Sequence, residues 1–223
     1  MRITTTALTR ASAAAVVLAG LIYIVIQFVH PVEVVASLTT PTWAIVHVFS
    51  FAMAVLGLIG ITGVYLRQVS KFGVIGLIGY LMFGLFFLLQ ASFTFSEALV
   101  APLIADADPA FAEDFVALFS QHVVETDLGA LAALPLVGAA LYVLGALLFG
   151  IAIIRARVLS RGAGILLIAA AALTPIAGAL LPHSLERMAA IPMGLALIWL
   201  GISLWSDQRT SAASVALVMD ATA

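Results

Sequence analysis

The chain has no cysteine and very little charge: only 9% of its 223 residues are Asp, Glu, Lys or Arg, against about 25% in a typical globular domain. The missing cysteines exclude disulfides, thiolate metal sites and covalent C-x-x-C-H haem attachment. No Walker A loop, glycine-rich dinucleotide fingerprint or G-x-S-x-G elbow occurs, and the polar segments are too short for a nucleotide domain. Neither nucleotide nor nucleic acid is therefore expected as a partner. What remains is apolar, with 64% of residues hydrophobic. The lipid bilayer is the expected solvent and partner.

A membrane span needs roughly 20 mostly apolar residues at about 1.5 Å rise each. Six runs qualify, from about Ala11 to Val29, Pro41 to Leu66, Phe72 to Glu97, Leu128 to Ile154, Gly162 to Leu181 and Met188 to Trp205. The expected fold is all-α: a six-transmembrane-helix bundle forming one domain over residues 1–205, with 206–223 as a disordered cytoplasmic tail. Charge sorts by sign across these runs. With both termini cytoplasmic, eight of the nine cations (Arg2, Arg10, Arg67, Lys71, Arg155, Arg157, Arg161 and Arg209) lie inside, while nine of the eleven acids and all four histidines lie outside. Lys and Arg near span ends set orientation, so the expected topology is multi-pass with both termini cytoplasmic. The first run is longer than a signal-peptide core and ends at Gln27, His30 and Pro31 rather than at a small-x-small site, so it reads as a retained span.

Local signals refine this outline. Thr39-Thr40-Pro41 is a helix start, with a threonine cap and proline at the first helical position. Arg67 to Lys71 reads as a tight turn. Gly57, Gly60 and Gly63 precede it and Gly73, Gly76 and Gly79 follow it, so the two runs are expected to pack on each other as a close hairpin, with Gly201 outside that contact. Between spans three and four, Phe111, Phe115 and Phe119 recur at four-residue steps, with Glu113, Asp114 and Gln121 off the stripe. That pattern predicts a short amphipathic helix on the outer face, either a plain interfacial helix or a lid. Pro135 and Pro175 are expected to kink the outer halves of spans four and five.

The polar residues inside the spans concentrate toward the same outer half. Trp43, His47 and Ser50 share one helical stripe, and Gln90, Thr94 and Glu97 share another. An ionisable residue at the depth of His47 faces a bundle interior or water. His122 and Glu125, and His183 and Glu186, are each three residues apart, which places imidazole and carboxylate on one helical face. Imidazole and carboxylate suit zinc or another transition metal. The candidate metal ligands are thus His47, His122 and His183, with Glu97 or Glu125 as the catalytic base for a metal-bound water. Haem would need two facing histidines, and only His47 lies within the apolar layer. Two function classes follow. One is an outward-facing His and carboxylate site for a metal or small ligand, such as a membrane hydrolase. The other is a non-catalytic subunit, chaperone or lipid-organising bundle.

Trp43-Ala-Ile-Val-His47, the Tyr65-Leu-Arg67 span ending, Phe95-Ser-Glu97-Ala-Leu-Val-Ala-Pro102 and Leu147 to Arg161 together resemble uncharacterised multi-pass membrane proteins of actinobacteria and related bacteria. The likeness extends over most of the chain from Pro41 to Trp205. It implies a bacterial plasma-membrane bundle and supplies no reaction.

Overall fold

The structure, a computed structural model, describes residues 3–119 and 125–221, with backbone alone at 183–184 and 208–221. It is helical throughout, with no strand among the described residues. The long helices are α1 (Thr5–Val29), α2 (Pro41–Leu99), α3 (Pro109–Val116), α4 (Leu134–Ala156), α5 (Arg161–Leu180) and α6 (Ile191–Ala221). Among the described residues, five helical stretches are long and apolar enough to cross a membrane: Thr5–Val29, Pro41–Leu99, Gly129–Ala156, Arg161–Leu180 and Arg187–Asp207. The last helix continues to Ala221, beyond the Trp205 at which the apolar run ends.

The 59 residues of α2 would span about 88 Å if straight, nearly three hydrocarbon thicknesses. They fold in two at Gly73, whose φ of 59° and ψ of −163° form the only non-helical residue inside the element. Arg67 to Lys71, read from the sequence as the turn, are helical. The backbone stays helical until a residue without Cβ can adopt positive φ at no steric cost. The two limbs lie side by side: Thr62 is hydrogen-bonded to the Tyr80 hydroxyl at 3.1 Å, and Tyr65 stacks on Tyr80. At the start of α2, the Trp43 N–H donates to Thr40 Oγ1 at 3.2 Å with Pro41 in the first turn, as the Thr-Pro signal requires.

The rods close a ring in which α1 packs on the first limb of α2, the second limb on α4, α4 on α5, α5 on α6 and α6 on α1. Glycines set the spacing of that ring, with partners other than those their spacing implies. A methyl group at Gly60 would lie 2.3 Å from Val16, and one at Gly63 2.2 Å from Ser12, both on α1. At Gly79 it would meet the Phe149 backbone nitrogen on α4 at 2.4 Å. Of the hairpin glycines, Gly57 does face the opposite limb, at Phe87. Gly201 is equally enclosed, since a methyl there would lie 2.7 Å from the Ala13 carbonyl, so it belongs among the close contacts. The glycines thus join each limb chiefly to its outside neighbour, while aromatic and hydroxyl contacts join the limbs to each other.

Pro135 sits in the first turn of α4, after the 3-10 stretch Gly129–Ala133. There its missing N–H costs no helical bond, so Pro135 starts the helix instead of kinking it. Pro175 lies inside α5. Between the prolines' end of the bundle and solvent lies α3, capped by Asp108, which accepts from the Phe111 N–H at 3.1 Å. Phe115 and Phe119 pack on Phe93 of α2 with ring centroids 5.1 and 4.7 Å apart. The stripe therefore covers the bundle end. Asp114 accepts from the N–H groups of Thr126 (2.6 Å) and Glu125 (3.0 Å), tying the following segment back to α3. Hydrogen bonding from Thr126, then Glu125, holds its carboxyl below the usual carboxylate range.

Candidate functional site

At the end covered by α3 the rods part around a cavity of about 400 Å³, walled by α1, both limbs of α2, α4 and α5, with Glu186, Arg187 and Ala190 before α6 closing the remaining side. Two stripes dictate the polar side. Trp43, His47 and Ser50 are all buried, and His47 and Ser50 line the cavity together with Gln90, Thr94 and Glu97 of the facing limb. The indole N–H of Trp43 donates to the Glu97 carbonyl at 2.7 Å, which locks the register of the two limbs at this level.

His47 is 1% exposed. Its Nδ1 lies 2.8 Å from the Trp43 carbonyl one turn back, and its ring stacks on the Trp43 indole with centroids 4.0 Å apart. Nε2 lies 3.7 Å from Glu97 Oε1, beyond hydrogen-bond reach, and has no hydrogen-bond partner among the described residues. A buried imidazole nitrogen left unpaired at a cavity wall carries a desolvation cost that a bound group would offset.

A second cluster closes the mouth. His30 caps α1 and packs edge-on against His47 with centroids 5.0 Å apart. Its Nδ1 lies 2.8 Å from the Pro31 carbonyl and 3.7 Å from Glu33 Oε1. Glu33 is ion-paired with Arg187 across 154 residues of sequence. Burial, and then the neighbouring guanidinium of Arg187, push the His30 imidazole from 6.5 down to about 4. Deeper in, Tyr142 is hydrogen-bonded to Thr174 at 3.1 Å and to Tyr23, and Gln27 donates to the Tyr23 carbonyl at 2.9 Å. These residues also line the cavity.

Of the residues singled out in the sequence, His47 and Glu97 come together. Glu125 lies on an exposed segment and does not line the cavity. His122 lies outside the described residues, and so does the side chain of His183, whereas Glu186 lines the cavity. Among the described residues no three His, Asp or Glu side chains converge as a metal would require. The sequence reading omits His30, Glu33 and Arg187. A signal for the first two exists, since His30 and Glu33 stand three residues apart like the two His and Glu pairs that the reading singles out. Arg187 is also the one cation assigned to the acidic side. No protein-family model, curated protein or solved structure matches this chain.

Proposed function

We propose that this chain is a bacterial plasma-membrane protein crossing the bilayer six times, with both termini cytoplasmic, and that its outward-facing cavity binds a small ligand through His47 and Glu97. The observation that carries this reading is the polar cavity itself: a buried imidazole nitrogen and a carboxylate face one another without a hydrogen bond, inside a ring of helices whose outer surfaces are apolar. Ionisable groups at such a depth are costly and mark functional sites. The folding of α2 at Gly73 supports two crossings from that one helix. Arg67, Arg155, Arg157 and Arg161 lie at the end opposite the cavity, which supports a cytoplasmic assignment for that end.

The absence of cysteine makes the test direct. Thr94→Cys, in the cavity wall, should be labelled on intact cells by a membrane-impermeant thiol reagent. Ile61→Cys, buried away from the cavity, should not. Reporter fusions after Ser70 and after Ser160 should read cytoplasmic, and fusions within 106–113 external. Failure to label Thr94→Cys, or an external reading at Ser160, overturns the outward-facing cavity.

A metal-dependent reading, with His47, His122 and His183 on zinc or another transition metal, draws on the same unpartnered Nε2. Elemental analysis of protein purified without chelator tests it, and stoichiometric metal would replace the small-ligand reading. The non-catalytic alternative requires a cavity that takes up no ligand of any class.

A further inference from the structure

We propose that the ligand is a small organic ammonium ion, an amine with an apolar or aromatic body. This rests on the binding-cavity reading above and assigns its chemistry. A carbonyl oxygen can only accept a hydrogen bond, so the 2.8 Å contact from His47 Nδ1 to the Trp43 carbonyl places a proton on Nδ1. In the neutral ring Nε2 then presents a lone pair. Opposite it, at 3.7 Å, stands a Glu97 carboxyl oxygen. At that separation no direct hydrogen bond joins them, and with Glu97 ionised both present acceptors to the cavity.

Two acceptors facing one cavity create a position suited to a group that only donates. An ammonium is such a group, with N–H bonds in several directions, no lone pair and a positive charge. A hydroxyl donates once and brings lone pairs of its own. A carboxylate would confront Glu97 with like charge.

The remaining wall points the same way. Among the described lining residues three carboxylates, Glu33, Glu97 and Glu186, meet one guanidinium, Arg187, which already pairs with Glu33. The local field therefore favours a cation. Phe86 and Tyr142, whose ring centroids lie 4.9 Å apart, together with Phe93 supply aromatic faces along the wall, and such faces attract cations and accommodate an apolar body. A volume of about 400 Å³ falls in the range of sites that enclose drug-sized molecules.

The test uses full-length protein in detergent and four probes: 2-phenylethylamine, 2-phenylethanol, 3-phenylpropanoate and zinc chloride. Isothermal titration and thermal stabilisation should show binding of the amine, with the alcohol and the carboxylate at least about 30-fold weaker, the factor expected when a buried charge pairing is lost. Glu97→Gln should weaken the amine by a similar factor while leaving the alcohol unchanged. If that variant does not fold, the comparison of amine with alcohol on wild-type protein still decides. Equal affinity for alcohol and amine, or preference for the carboxylate, overturns the ammonium assignment and leaves the cavity reading standing; binding of zinc alone overturns both in favour of the metal reading. Silence toward all four probes overturns both.

Discussion

The two halves of the bundle are built on opposite principles. In the half bearing Arg67 and Arg155, helices meet backbone to backbone. A methyl at Gly79 would lie 2.4 Å from the Phe149 nitrogen, one at Gly150 would lie 2.9 Å from the Gly164 carbonyl, and one at Gly201 would lie 2.7 Å from the Ala13 carbonyl. In the half bearing His47, the nearest atoms to a methyl at Gly138 or Gly178 lie at 3.6 and 3.7 Å. The same residue type therefore does different work in the two halves. Small residues draw helices together where nothing else intervenes. Where polar side chains must be enclosed, the helices are held apart and aromatic rings fill the difference. One half supplies rigidity, and the other can then carry a cavity and the cost of its buried polar groups.

The sharpest way to break this contrast is to place the same chemical change in each half. Gly79→Leu should abolish folding or lower stability by more than about 4 kcal/mol, because a backbone atom blocks the side chain. Gly201→Leu should behave in the same way. Gly138→Leu, in the open half where the atoms nearest a methyl are side chains at 3.6 and 3.7 Å, should cost no more than about 1.5 kcal/mol. Survival of a monodisperse size-exclusion peak after heating measures all three, and comparable losses at Gly79 and Gly138 would remove the distinction between the halves.

The mouth of the cavity tests whether the open half has its own restraints. Arg187→Met takes away the guanidinium facing Glu33 in a largely buried pair, and should cost about 2 to 3 kcal/mol. The double variant with Glu33→Leu should cost less than the sum of the single changes, because the two side chains act together. Additive losses would show that the pair is not coupled.

A smaller effect concerns pH. The unfolded chain protonates His30 near 6.5, whereas the folded chain keeps it neutral to about 4. Between those values the unfolded state binds more protons. The contribution of His30 is therefore complete above pH 6.5 and is lost as pH falls toward 4, by about 2 kcal/mol at pH 5. Melting temperatures at pH 7.5, 6 and 5 should decline, and His30→Asn should make the decline shallower. An unchanged slope would place the acid sensitivity elsewhere.

How far the sequence reveals this architecture depends on the range of the interaction. Helix ends at Val29 and Pro41, and the two polar stripes, are legible because they follow from apolar runs, caps and helical periodicity, all local. The turn at Gly73 is misplaced by two residues in the sequence reading, because nothing in Arg67 to Lys71 forbids a helix and only the glycine permits the break. Glycine spacing shows that close contacts exist. It does not show that Gly60 faces α1 and Gly79 faces α4, because spacing along one helix carries no label for its neighbour. The mouth is less legible still. His30, Glu33 and Arg187 meet only once α1 and the segment before α6 are neighbours, a relation carried by the whole ring. Glu125 illustrates the converse, since its nearness in sequence to His122 and to a span end says nothing about which way its segment runs.

The break at Gly73 also bears on biogenesis. In the membrane reading, an uninterrupted rod of this length has no resting position in a bilayer, and a first limb that entered alone would expose Thr62 and Tyr65 to lipid before Tyr80 had been synthesised. A helical hairpin avoids this by entering as one object, with its internal hydroxyl contacts already made and Arg67 and Lys71 remaining on the side from which it started. A single residue without a side chain would in that way decide whether nearly sixty residues are inserted as a pair or stall as a rod.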